Sequence, residues 1–491
     1  MDLENEIINI AKSMDYALDN NNPEKIKELI EQLIIFEEKT TDKTILFKIY
    51  YNLGTAYADL ILISKKNYLD NEEYVRKSIL YYRKGEQLIE KGILSVNDGT
   101  IQLLTNLGNT YSCMNRFTEA IDIFEKAIQI APNFSMANGN LGECLLRYSA
   151  FSYNSYSSYR FHLESMKYFE KAFEYPQYID SEMAMSDFKN KYIPMKKHYD
   201  KMKLNLPKIK PIKYKTKSEH RYREWCLKNK LVLNELNDID STFLASEDTL
   251  HIPSITQKID IGIYSKFHSC FNELKQDFIS NRFLLYEACS NCTKHHFSDN
   301  YTYILETLDN SIYTLNTTKL KTVFKNIYSL FDKIAFFINE YFCLGINYRN
   351  VSFKNIWNSI ILLDKIKNNT GLYTLYWIYT DLFGNSNLST DPKIQKINKI
   401  RNSIEHRCFK IIDENNYIEI VSQNDEDEFE FKISYLELKD ITLYLFKILR
   451  TSMLNLVFSV IINENEKEDK SFKLPIHLYK KDKRDNVIIF N

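Results

Sequence analysis

A pattern of small and aromatic residues that occurs three times, with two copies set 34 positions apart, constrains this chain more than any other feature. In its fullest copy Leu107, Gly108 and Tyr111 are followed by Ala120, Phe124, Ala127 and then Pro132. Leu141 and Gly142 stand 34 residues beyond Leu107 and Gly108, and after an insertion Ser165, Phe169 and Ala172 complete that copy. One copy earlier come Leu53, Gly54 and Tyr57, then Ser78, Tyr82 and Gly85. Each copy encodes two helices. The small residues let the pair approach closely and the rings fill the gap. One such unit cannot bury its own apolar face, so units stack. Residues 3–39 read as two further helices capping the stack. Insertions, read as helical, fall at 63–71 and 148–160. The second (YSAFSYNSYSSYR) is either a binding loop or plain surface.

This series resembles tetratricopeptide repeats, which present a groove for a peptide or protein ligand. The rest of the chain is poor in breakers too, with 11 Gly and 9 Pro in 491 residues. The expected fold class is therefore mainly all-α. Residues 196–217 (KKHYDKMKLNLPKIKPIKYKTK) form a boundary with two prolines and nine lysines. The segment reads as a solvated linker, or as an electrostatic guide for an RNA backbone. The division is then 1–195, repeats with capping helices; 196–217, basic linker; and 218–491, a second helical domain with its core at about 270–464.

The net charge is −1, from 64 basic and 65 acidic residues, which excludes a globally basic nucleic-acid binder. Any RNA contact must come from a local patch. Eight cysteines are scattered, the first residues carry no signal-peptide pattern, and no apolar run reaches 18 residues. A cytoplasmic chain with reduced thiols and no membrane partner is the expectation.

Chemistry concentrates in Arg401-Asn402-Ser403-Ile404-Glu405-His406. Arginine can hold a phosphate and neutralise its developing charge. Histidine moves protons near neutral pH, and asparagine can orient either. Asp391 and Pro392 read as the N-cap and first residue of a helix, and no Pro or Gly interrupts 393–412. On such a helix Asn402 and His406 share a face, and Arg401 lies about 140° from His406. An alternative stays open: Arg401 and Glu405 are an i,i+4 pair of opposite charge, the ordinary dress of a solvated helix.

The string NKIRNSIEHR resembles the signature of the HEPN superfamily, helical domains bearing R-x(4–6)-H, many of them RNases. Tyr222–Asp238, Tyr328–Leu344 and Leu372–Phe383 resemble the branch found behind tetratricopeptide repeats. The resemblance covers about 218–460. It implies a repeat solenoid followed by a HEPN-like bundle, and a metal-independent endoribonuclease acting on RNA or tRNA. Arg401, Asn402 and His406 are then the catalytic residues, with no cofactor and no metal. It also implies a homodimer or higher oligomer through the HEPN-like domain, and a role in bacterial antiphage defence or stress toxicity. The alternative is a non-catalytic RNA- or nucleotide-binding scaffold.

The remaining patterns are simpler. Helices are expected at 219–233, 271–290, 318–344, 353–367, 372–383 and 436–462, with a polar loop at 236–253. The helices at 318–344 and 436–462 are either a dimer interface or internal core. Asp332, on the first of them, either pairs with Arg401 or, standing beside Lys333, is plain surface. Residues 417–434 alternate apolar and polar around NDEDE, which suggests a β-hairpin. A short strand is expected in the tail beyond Lys467. Cys289, Cys292, His295 and His296 are all zinc-ligand types. Their spacing fits no common zinc module and would strain a tetrahedron, so a structural role is expected.

Overall fold

The computed structural model describes residues 2–90, 92, 98–176, 182–202, 214–255, 266–290, 295–305, 310–383, 392–414 and 429–467. The two capping helices are α1 (Asp2–Asp19) and α2 (Pro23–Lys39). Three helix pairs follow: α3 (Lys43–Ser64) with α4 (Glu72–Glu90), α5 (Asp98–Cys113) with α6 (Phe117–Ile130), and α7 (Ser135–Ser149) with α8 (Ser155–Glu174). Each pair packs on the next. Leu107, Tyr111, Ala120, Phe124 and Ala127 are all buried, as the period requires. A Cβ on Gly108 would stand 2.7 Å from the Phe124 ring, so only glycine lets α5 and α6 close. Where the middle copy has Ala120, its neighbours have serines. Ser78 donates to the Gly54 carbonyl at 2.9 Å and Ser165 to that of Gly142 at 2.5 Å, so each hydroxyl is satisfied across the helix pair.

The first insertion is mainly a turn, whereas the second is mostly helical, with 148–149 ending α7 and 155–160 opening α8. Residues 65–71 link α3 to α4, and 150–154 link α7 to α8. The Tyr/Ser-rich insertion is neither free loop nor plain surface. It clasps the segment 234–251 of the same chain: Ser152 donates to Glu235, and the Tyr153 and Thr249 hydroxyls lie 2.6 Å apart. Beyond the stack, α9 (Glu182–Met202) runs into the lysine-rich boundary; residues 203–213 of that boundary lie outside the described residues.

After α10 (Lys217–Lys228) the chain is irregular across the expected loop at 236–253, but the entry to that loop is buried rather than solvated. Residues 231–238 are buried without exception. Arg450 donates to the carbonyls of Val232 and Asn234 and to Asp238 at 2.6 Å each, and is itself 0% exposed. Arg282 binds the Leu231 carbonyl at 2.9 Å and Asp248 at 2.7 and 2.8 Å. Two arginines from distant helices therefore supply the apolar-free partners that a buried irregular backbone needs.

The second domain consists of α11 (Lys266–Ser290), α12 (Leu315–Tyr341), α13 (Ile360–Ile366), α14 (Thr370–Phe383), α15 (Pro392–His406), β1 (Cys408–Ile412), β2 (Glu430–Ser434) and α16 (Tyr435–Asn465). Here α11 pairs with α12, and α16 packs on both α12 and α14. A Cβ on Gly371 would come within 2.4 Å of the Ser459 backbone nitrogen, so α14 and α16 cross in backbone contact. Gly371→Ala must push them apart. It is expected to cost about 1–3 kcal/mol and to lower the thermal midpoint, measured by circular dichroism.

Of the expected β-hairpin at 417–434, only residues 429–434 are described. Strands β1 and β2 pair parallel, with Cys408 opposite Glu430 and Ile412 opposite Ser434. A parallel pair cannot be closed by a tight turn and needs a longer crossover. Residues 415–428 lie outside the described residues, as does the tail from 468. Ser434 ends β2 and also caps α16, accepting the Glu437 N–H at 3.1 Å.

The long helices α12 and α16 serve as internal core. By length and composition α16 could cross a membrane, yet 83% of its apolar window is buried within the protein. On α12 only the stripe Thr318, Thr322, Lys325, Ser329, Asp332 and Phe336 stays exposed. Neither apolar face is available as a dimer interface.

The two domains share one apolar core extending from Leu46 to Val460. The second domain docks where the first helix of each repeat turns into the next. Asp381 on α14 accepts from Arg83 at 2.7 and 2.9 Å and from Arg116 at 2.9 Å. Tyr376 donates to Glu72 at 2.7 Å, Lys447 reaches Asp122 at 3.0 Å, and Tyr148 donates to Asp238 at 2.9 Å.

Burial pushes the Glu235 carboxyl up to about 7, although the Ser152 and Ser157 hydroxyls pull the other way. Its protonated form is thus favoured on folding, and the associated stability is present below about pH 4.5 and lost as pH rises through 7. Glu235→Gln removes that loss. The variant is expected to gain up to about 3 kcal/mol over wild type at pH 8, and nothing comparable at pH 4.5, in denaturant unfolding at the two pH values.

Candidate active site

Helix α15 starts at Pro392, as expected from the sequence; Asp391 lies outside the described residues. Ile394, Ile397, Ile400 and Ser403 are buried, with Ile404 half-buried, at the spacing of one helical face. That face packs on α12 and on the two strands. Lys396 ties the helix to Glu437 at the start of α16. The helix does not continue to 412. It ends at His406 and passes into β1, whose Cys408 N–H donates to the Phe429 carbonyl at 3.1 Å. The strand pairing captures the backbone directly after the motif.

Asn402 and His406 are exposed on the same side of α15. The His406 side chain is 75% exposed, and its Nε2 lies 3.8 Å from Glu405. Arg401 is half-buried, its guanidinium carbon 4.4 Å from the centre of the Tyr328 ring. The Arg401–Glu405 ion pair does not form. The Asp332 pairing does not form either: that carboxylate accepts the Phe353 N–H at 2.8 Å, and it feels Arg401 only through space. Among the described residues, the Arg401 guanidinium has no carboxylate within ion-pair distance and donates no hydrogen bond.

A half-buried guanidinium that packs on an aromatic ring but is not neutralised keeps its fork of donors for a planar or tetrahedral anion. The surroundings add positive charge. Lys321, half-buried on α12 near Cys408, is lowered by that burial, and Lys325 and Arg407 are exposed. Tyr328 and Lys321 have no obvious mark in the sequence. Tyr328 reads there as one more core position of an amphipathic helix. Only the 3- and 4-residue spacing of Lys321, Lys325, Tyr328 and Asp332 hints that all four share one side of α12.

The Cys/His cluster does not come together as a ligand set among the described residues. Burial pushes the Cys289 thiol up to about 12, and His296 caps the turn 297–299 by accepting the Ser298 N–H at 3.3 Å. Cys292 lies outside the described residues. No group of three or more His, Cys, Asp or Glu is placed to hold a metal among the described residues.

Residues 262–463, which include α11 to α15, both strands and most of α16, match the family model described as LA2681-like HEPN. Residues 101–134, the copy with the fullest repeat pattern, match a tetratricopeptide repeat. Residues 262–463 are thus similar to a HEPN domain of the LA2681-like kind, and a tetratricopeptide repeat stands ahead of them. Comparison with curated proteins and with solved structures finds no match. The HEPN family supports an RNA-related role, and the repeats support protein interaction.

Proposed function

We propose that this protein is a metal-independent endoribonuclease, with Arg401, Asn402 and His406 as its catalytic residues. The observation that carries the reading is the un-neutralised Arg401 guanidinium on the helix that presents His406 to solvent. In the proposed reaction the ribose 2′-oxygen attacks phosphorus and gives up its proton to a base. The P–O5′ bond breaks, and an acid protonates the departing 5′-oxygen. The products are a 2′,3′-cyclic phosphate and a 5′-hydroxyl. Arg401 steadies the charge on the phosphorane, His406 moves a proton, and Asn402 orients His406 or the ribose.

One histidine does not serve readily as base and acid in the same step, so a second copy of the motif completes the site. The surfaces left for that copy are the Asn402–His406 side of α15 and the polar stripe of α12. RNA, tRNA among its forms, is the substrate class. The repeats sense a protein partner that governs activity, as suits a cytoplasmic defence or stress toxin.

Expression in bacteria of wild type and of Arg401→Ala/His406→Ala, each with and without candidate phage triggers, tests the reading. Slower growth and degraded RNA with wild type alone support it. Identical growth and RNA in every arm favour a scaffold instead.

A further inference from the structure

Resting on that reading of Arg401, the structure assigns Tyr328 as its positioning residue and places Tyr328 within reach of the repeat domain. The Arg401 guanidinium lies 4.4 Å over the face of the Tyr328 ring, and Tyr328 is 8% exposed. A cation held this way is fixed in place without being neutralised, because the ring offers a negative face and no formal charge. A carboxylate in the same position would compete with phosphate. The edge of the same ring meets Phe383 at 5.9 Å between centres and 88° between planes. Phe383 also packs on Phe331 at 5.9 Å and on Phe353 at 5.6 Å.

Phe383 is the last residue of α14, two positions after Asp381. Asp381 is the residue gripped by Arg83 and Arg116 of the repeats. Both guanidiniums hold its carboxyl well below the usual carboxylate range, despite full burial. Asp381 and Phe383 thus link the seat of the repeats to the platform under Arg401. A movement of the repeats on the second domain pulls on the end of α14, and the next contact along is the ring that sets Arg401. This gives a partner bound to the repeats a physical route to the motif, through packed side chains rather than through a separate lid.

The test reads Arg401 directly. Full-length protein is treated with phenylglyoxal, which modifies accessible guanidiniums, and the rate at Arg401 is followed by peptide mass spectrometry against exposed Arg349 and Arg407. Cleavage of a labelled RNA is measured on the same samples. Tyr328→Leu is expected to raise the Arg401 rate several-fold relative to Arg407 and to lower kcat about tenfold with KM little changed. Tyr328→Phe keeps the ring face and is expected to match wild type in both. Asp381→Asn, which touches neither Arg401 nor Tyr328, is expected to raise the Arg401 rate as well.

If Tyr328→Leu does not fold, as judged by circular dichroism, Phe383→Leu takes its place with the same expected sign. Unchanged Arg401 reactivity in folded Tyr328→Leu or Phe383→Leu overturns the positioning role. Unchanged reactivity in folded Asp381→Asn overturns the link to the repeats. Raised reactivity in a protein whose wild type cuts no RNA supports the platform and overturns the ribonuclease reading.

Discussion

His406→Ala is expected to lower RNA cleavage by roughly a hundredfold to ten-thousandfold, the range that a positioned proton-transfer group contributes. The same change is expected to leave stability almost untouched. The side chain is 75% exposed, and the Glu405 carboxylate lies 3.8 Å from Nε2. Replacing such a surface group costs no more than about 0.5 kcal/mol. Activity and stability therefore separate cleanly at this position, and a thermal melt beside a cleavage assay reads both. Arg401→Ala offers a useful contrast. It removes the proposed phosphate-binding group and also the contact with Tyr328, so some stability is expected to be lost along with activity.

Asp381→Ala is expected to produce the largest loss of stability. It leaves Arg83 and Arg116 buried at the domain junction without the carboxylate they share, although Arg116 keeps Glu119. Removing one partner of a buried charged cluster costs about 3–5 kcal/mol. The two guanidiniums depress the Asp381 pKa, so its stabilisation is present above about pH 3.8 and lost as pH falls below that. The variant is expected to show a lower thermal midpoint and faster proteolysis between the domains at pH 7. Near pH 3 it is expected to fall closer to wild type. Equal midpoints at pH 7 would mean that Asp381 is not what seats the repeats.

The repeats were readable because their signal is local. Leu107, Gly108, Tyr111, Ala120, Phe124 and Ala127 sit at fixed offsets, and all six are buried. The start of the motif helix was readable for the same reason, in Pro392. What escaped depends on partners far along the chain. Residues 234–238 (Asn-Glu-Leu-Asn-Asp) look polar, yet Arg450, over 200 positions away, lets them be buried. Strand β2 alternates as a hairpin strand would, and nothing local shows that it pairs parallel with β1. The platform is of the same kind. Tyr328 and Arg401 are 73 positions apart, and the pattern around Tyr328 records only that it faces inward.

The nearby Glu405 illustrates the limit of spacing as a guide. At i+4 it is the expected partner of Arg401, but it leans to His406 instead, and the arginine turns inward to the ring. Whether a motif arginine is spent on a neighbouring carboxylate or kept for a ligand is a matter of side-chain direction. That direction is set by what the helix packs on.

The central claim is that one helix end cuts RNA by 2′-oxygen attack. Its most direct measurement is sequencing of RNA ends after induction of wild type and of His406→Ala, in libraries selective for 2′,3′-cyclic phosphate and for 5′-hydroxyl termini. The account predicts new paired ends of both kinds at discrete sites in the wild type, absent from His406→Ala. The same ends at the same abundance in both samples would contradict it.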